Sequence, residues 1–309
     1  MQSGAATKRV LGAALAVAIA SCASSPPRYE PGAPTPEQAA RLKAVEVAYR
    51  ANAPEYPAQR DAIAQDPVAA AWLVRMFIRD VFTAREGRPL GDDDELLRAA
   101  AKIEDPLADR AIAELKALGA VAVPTLVGDL LQHEQPQPRE LGVELLGEVG
   151  QPAKPALMQL ARTGAQKPRR AAIRALGRVG FDAEGMALAR TMAVDDGDYT
   201  VRADALRSLR GAGPEAQRLL IDRLQADADP YVRRVAAATL AAFPTTAAAT
   251  ALVDFLAVCE RANDRDGGIA AQRALRAMAG TRTARSVAAW REWAAGVDAR
   301  AAKPTGATR

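Results

Sequence analysis

Residues 169–180, Arg-Arg-Ala-Ala-Ile-Arg-Ala-Leu-Gly-Arg-Val-Gly, constrain this chain more than any other stretch because the pattern recurs. Ala172, Ala175, Leu176 and Val179 fall on one stripe at a 3.6-residue period, which reads as an amphipathic helix. Gly180 supplies the positive φ that ends such a helix. The same frame fits Arg139, Gly142, Leu145, Leu146, Val149 and Gly150. It fits Arg202, Ala205, Ser208, Leu209, Ala212 and Gly213, and again Arg233, Ala236, Thr239, Leu240 and Phe243, with Pro244 as the breaker. Weaker copies begin at Ala108 and Gly268. Six copies starting at 108, 139, 169, 202, 233 and 268 recur every 30 to 35 residues, so each unit must bury its apolar face on its neighbours in a solenoid.

Between the frames lie second helices over residues 123–131, 155–161, 184–192, 215–224 and 250–258. Pro124, Pro152, Pro155, Pro168, Pro214, Pro230 and Pro244 fall near helix starts and stops, as proline must. Residues 229–240, Asp-Pro-Tyr-Val-Arg-Arg-Val-Ala-Ala-Ala-Thr-Leu, resemble the first-helix consensus of HEAT repeats, in the short bacterial form also found in bilin lyases. The resemblance covers residues 105–296 and implies an all-α, right-handed α-solenoid of about six HEAT-like helical pairs. Ahead of it, residues 36–104 read as an N-terminal helical cap. Thr35-Pro36-Glu37 opens one helix, and a very apolar helix near Pro67 carries Ala70, Trp72, Leu73, Met76, Phe77, Val81 and Phe82 toward the core. The acidic run Asp92-Asp93-Asp94 reads as a solvated loop before a further helix; it lacks the alternating ligands of a calcium loop.

The chain also carries an address. Lys8 and Arg9 precede an apolar run, residues 10–20, too short to span a bilayer but right for a signal-peptide core. Ile19-Ala20-Ser21-Cys22 resembles the lipobox of bacterial lipoproteins, which implies removal of residues 1–21 and acylation of Cys22. Several acyl chains hold a protein on a membrane stably where one does not. Ala23 in place of an aspartate points to the periplasmic face of the outer membrane in preference to the inner membrane. Residues 22–35, rich in Ser, Pro and Gly, form a flexible tether reaching roughly 40 Å, and residues 297–309 form a disordered tail.

Charge tests the nucleic-acid reading that a pI of 9.2 invites. The full chain has 41 basic and 37 acidic residues, +4; without Lys8 and Arg9 it is +2, so no large basic field follows. Catalytic chemistry has little to work with. His133 is the one histidine and sits in a turn, and Cys259 is the one thiol left after acylation, on an apolar helix. These supply no zinc set, no disulfide and no Ser-His triad, and there is no glycine-rich phosphate loop. No cofactor and no metal are expected.

Arg139, Arg169, Arg202 and Arg233 occupy one repeat position, and Asp198 and Asp229 stand four residues before the last two. The HEAT resemblance implies that such residues tie neighbouring repeats by charge-assisted bonds; an arginine ladder tracking phosphates is the alternative. Trp290 and Trp293 share a helix face suited to capping the last repeat, or alternatively to gripping a peptide. The expected function is a non-enzymatic, membrane-tethered scaffold that binds an envelope protein or peptide on a concave face lined by the second helices. Lys154, Gln159, Arg162, Arg190, Gln217 and Arg218 are the candidate contacts. Two alternatives stand beside it: an enzyme or enzyme subunit of the HEAT-like lyase type, which rests on resemblance alone, and a nucleic-acid-binding solenoid.

Overall fold

The computed structural model describes residues 32–84, 105–280 and 286–298. Cys22, the leader, the acidic run 92–94 and residues 299–309 lie outside the described residues; of the tail read as disordered from 297, Val297 is buried and Asp298 accepts from Thr246 N at 2.9 Å. Among the described residues there are helices and turns and no strand.

Helix α1, Pro36–Arg50, begins in a capping box: Thr35 Oγ1 accepts from Gln38 N at 3.2 Å, and Gln38 Oε1 accepts from Thr35 N at 2.8 Å. The Gln38 amide also donates to Asp66 at 2.7 Å, and Asp66 caps α3, Pro67–Ala84, so both helix starts are tied together. Between them runs a short helix, α2, Tyr56–Ala64, that the apolar spacing does not announce. Nine residues are too few to hold a helix by propensity. Packing holds it instead: Tyr56 lies 5.3 Å from Tyr49 between ring centres, and Tyr49 lies 5.2 Å from Phe77.

Two aromatics of α3 expected in the core are not there. Trp72 is 37% exposed and Phe82 39%, whereas Leu73, Val74, Phe77 and Val81 are buried. At about 100° per residue, Trp72 and Phe82 both sit roughly 140° from Phe77, off the buried stripe. Trp72 settles instead against Arg75, 5.0 Å from its ring centre, and donates to Gly32 O at 3.2 Å.

From residue 105 the helices form two rows. One row, here the ladder, comprises α4 (Pro106–Leu118), α6 (Pro136–Val149) and α8 (Gln166–Val179). It continues with α10 (Tyr199–Ser208), α12 (Pro230–Leu240) and α14 (Arg265–Ala279). The other row opens with α5, in which Val123–Thr125 runs on as a π-helix, Leu126–Leu131, and with α7 (Lys154–Thr163) and α9 (Ala183–Asp195). It ends with α11 (Pro214–Ala226), α13 (Thr246–Ala262) and α15 (Val287–Ala294).

The pairing differs from that read off the frame. Each outer helix packs on the ladder helix that follows it, α7 on α8 and α13 on α14, and scarcely touches the one before. The physical reason lies in the links. Ladder helices end on Gly150 and Gly180, with φ of 77° and 98°, and the chain turns away there. Between Pro106–Val121 and Val123–Leu131 the bend is 103°. Outer helices end on short links that fold straight back into the next helix, Asp-X-Asp after α9 and α11, Gly164-Ala165 after α7 and Asn263-Asp264 after α13. The units are therefore α5/α6, α7/α8, α9/α10, α11/α12 and α13/α14, and α3 packs on α4 in the same manner.

Ladder helices also press directly on one another along the whole row, while the outer helices touch only sparingly before α13. Small residues permit this. A Cβ on Gly177 would stand 2.7 Å from Ser208 O, and one on Gly147 2.8 Å from Arg178 Cβ. The ladder is thus the closely packed row, and the second helices stand farther apart on the other side. At the C-terminal end Trp290 and Trp293 are 2% and 5% exposed, packed edge to face at 5.4 Å where α15 covers α13.

Candidate binding surface

The repeat arginines share one geometry. Each donates from Nη1 to the turn behind it: Arg139 to His133 O at 2.6 Å, Arg169 to Gly164 O at 3.3 Å, Arg202 to Asp196 O at 3.0 Å and Arg233 to Asp227 O at 2.8 Å. Two of them then reach forward into the next repeat. Arg169 Nη2 pairs with Asp196 at 3.1 Å, and Arg202 grips both oxygens of Asp227 from Nε and Nη2 at 3.1 and 3.0 Å.

The carboxylates that meet the repeat arginines are thus Asp196 and Asp227; of the pair read from the sequence, Asp198 links repeats through Gln166 and Asp229 does not. Asp229 caps its own helix, accepting from Tyr231 N at 2.8 Å. Asp198 caps α10 and also takes the Gln166 amide at 2.8 Å across the repeats. Burial opposes its charge, but bonds from Thr200, Val201 and Gln166 prevail and hold the Asp198 carboxyl below the usual range. The signal available in the sequence was the doubled Asp-X-Asp at 196/198 and 227/229, whose first member ends one helix while the second starts the next.

On the open side of the ladder, charges bridge from helix to helix. Lys116 on α4 meets Glu148 on α6 at 3.1 Å, and Glu140 on α6 pairs with Arg174 on α8. Arg170 on α8 reaches Asp204 on α10 at 2.6 Å; Asp204 is 1% exposed and also pairs with Arg207, which contacts the Tyr231 hydroxyl at 3.3 Å. The charge changes sign along the row. Helix α6 carries Glu140, Glu144 and Glu148 with Arg139; α8 carries five basic side chains and no acid. Helices α10, α12 and α14 add seven basic side chains and two acidic ones. Among the described residues Arg178, Arg210, Arg234, Arg273 and Arg276 make no ion pair, and all but the half-buried Arg234 are exposed.

Lys154, Gln159, Arg162, Arg190, Gln217 and Arg218 lie on α7, α9 and α11, in the widely spaced outer row. Lys154 is paired with Asp182, and Arg162 with Glu184 at 2.7 Å. They stand in the row opposite the closely packed ladder. His133 is exposed, its Nδ1 accepting from Gln135 N at 3.1 Å. Cys259 is buried, and burial with the neighbouring Asp264 pushes its thiol up to about 11, so it is protonated near neutral pH. Among the described residues no three His, Cys, Asp or Glu side chains gather as a metal site, and no single helix is long and apolar enough to cross a membrane.

One groove opens where the arginine rungs stop. It holds about 470 Å³ between α11 and α13, with Leu224, Phe255, Val258 and Ala262 as apolar wall and Arg233 and Asp264 as charged groups. Helices α9 and α11 end on an extended Asp196 and Asp227; α13 ends on Asn263 in a left-handed conformation, φ 54°. The rung position thus has no carboxylate, and Arg233 makes no ion pair among the described residues.

The sequence matches a family model described as HEAT repeats over residues 123–210 and 186–276. The first match begins at the start of α5, in the phase that the packing shows. Among solved structures, the chain is similar to the complex of CpcE and CpcF of phycocyanin lyase from Nostoc sp. PCC7120. The identity is 21%, covering 89% of this chain and 97% of that one, with a TM-score of 0.36. No curated protein matches.

Proposed function

Because residues 123–276 carry HEAT repeats stacked as an all-α solenoid, we propose that this protein is a non-enzymatic scaffold binding an envelope protein through its ladder face. In this reading acylated Cys22 holds it on a bacterial membrane, at the periplasmic face of the outer membrane, with residues 23–35 as tether. The observation that carries the binding reading is the set of arginines on α8 to α14 that no carboxylate in the stack neutralises. Guanidinium groups left solvated on the ladder face favour a partner surface rich in Asp and Glu, and such complementarity speeds encounter and sets register. The near-even balance of 41 basic and 37 acidic residues leaves no large basic field for a continuous phosphate backbone, which favours an acidic protein over a nucleic acid.

The test is crosslinking on intact cells followed by mass spectrometry, comparing the wild-type chain with a triple variant, Arg178→Glu, Arg273→Glu and Arg276→Glu. The envelope protein crosslinked to the wild type is expected to fall at least tenfold with the variant. The melting temperature should hold, since these side chains are exposed. Equal recovery with the variant refutes the ladder face as the binding surface. The anchor has its own test. Cys22→Ser is expected to move the protein from the membrane pellet to the soluble fraction, and a variant that still pellets overturns the lipid anchor.

A further inference from the structure

We propose that the groove between α11 and α13 docks a partner-protein segment in which a carboxylate side chain stands beside a large apolar one, the carboxylate completing the rung that Arg233 lacks. The argument comes from the molecule's own repetition. At two successive repeats the arginine holds the carbonyl behind it and a carboxylate ahead of it, Arg169 with Asp196 and Arg202 with Asp227. Arg233 keeps the first bond, to Asp227 O at 2.8 Å, and has no second one. It lines a groove, and the position that Asp196 and Asp227 hold in the other rungs is taken by no carboxylate, because α13 runs on to Ala262 and closes with Asn263.

The walls suit the rest of such a segment. Val258 is 50% exposed although it lines the groove beside buried Leu224 and Phe255, an apolar surface left open to solvent. Gln225 on the rim offers a side-chain amide to a peptide main chain, a partner that a bare hydrocarbon would not use. The two carboxylates in the lining already have partners. Asp264 Oδ1 caps Gly267 N at 2.9 Å while Oδ2 faces the Cys259 thiol at 3.8 Å, and Asp254 pairs with Arg291 at 3.4 Å. Arg233 is the one cation of the lining, and among the described residues it makes no ion pair. A volume of about 470 Å³ is in the range of pockets that bury a few side chains.

The probes are two peptides titrated calorimetrically into the full chain in detergent: acetyl-Ala-Glu-Leu-Phe-Ala-amide and the same peptide with Gln for Glu. The Glu peptide is expected to bind, and the Gln peptide at least tenfold more weakly. Arg233 itself is a poor probe because it also holds the turn at Asp227. Val258→Glu and Ala262→Asp, both at helix positions on the groove wall, are used instead. Each is expected to weaken the Glu peptide at least tenfold, Val258→Glu by lining the apolar wall with charge at an unchanged melting temperature, and Ala262→Asp by placing a carboxylate beside Arg233 at a melting temperature that does not fall. Equal affinity for both peptides overturns the proposal, as does no binding of either at millimolar concentration, or binding unaltered in both variants. None of these positions is on the ladder face, so a failure here is distinguishable from a failure of the scaffold reading.

Discussion

Replacing Gly177 with valine is expected to destabilise the protein by about 3 kcal/mol, the upper end of the usual cost of overpacking. A Cβ at this position would stand 2.7 Å from Ser208 O, 2.8 Å from Ser208 Cβ and 3.0 Å from Ser208 Cα. Two of those atoms are backbone, so no side-chain rotation relieves the clash; α8 and α10 must separate. Separation opens the apolar seam formed by Leu176, Ala205 and Leu206, all fully buried. The loss also spreads, because a repeat stack depends on each interface with its neighbour. Gly197→Ala serves as the control, since a Cβ there meets nothing within 4 Å. Chemical denaturation reads both variants, and a Gly177→Val chain as stable as the wild type would show that the ladder helices are not in the contact described.

Asp227→Ala is expected to cost about 3–5 kcal/mol, the range for removing one partner of a buried ion pair. The Asp227 side chain is 3% exposed and accepts three bonds: Arg202 Nε at 3.1 Å, Arg202 Nη2 at 3.0 Å and Asp229 N at 2.9 Å. Alanine would leave the Arg202 guanidinium, itself only 14% exposed, without its carboxylate, and would free the turn that starts α12. The bond to Asp227 also raises the Arg202 pKa, the same interaction seen from the other partner. Adding Arg202→Met to Asp227→Ala is expected to recover part of the loss, since the stranded charge then disappears. If the double variant is as unstable as the two single losses added together, the two side chains are not coupled and the rung contributes nothing as a pair. Both variants are read by thermal and chemical denaturation of the full chain.

The site was less legible than the fold. The repeat arginines stood out because a period near 31 residues brings them to one position, yet their carboxylate partners were sought four residues upstream, where a helix cap sits. Asp196 and Asp227 stand six residues before Arg202 and Arg233, across a turn, and only the folded link shows that each reaches back to the arginine of the preceding repeat. The groove was less visible still. It exists because α13 is 17 residues long where α11 is 13, and closes on Asn263. In sequence this is a small irregularity in spacing.

What the sequence by itself determined is local: where helices begin and end, which stripe of each is apolar, and that the units repeat. Proline, glycine and aspartate at helix ends act on their own backbone, and a 3.6-residue stripe is a property of one helix, so both can be read without knowing the neighbours. The tertiary structure decided which helix pairs with which and which row packs closely along its length. Every helix here has an apolar stripe to bury and two neighbours in sequence on which to bury it. The choice falls to the geometry of the links: glycines with positive φ that carry the chain away on one side, and short links, two of them Asp-X-Asp, that fold it straight back on the other. That choice sets the arginines of α8 to α14 along the closely packed row and leaves Lys154 and Arg162 paired on the far side.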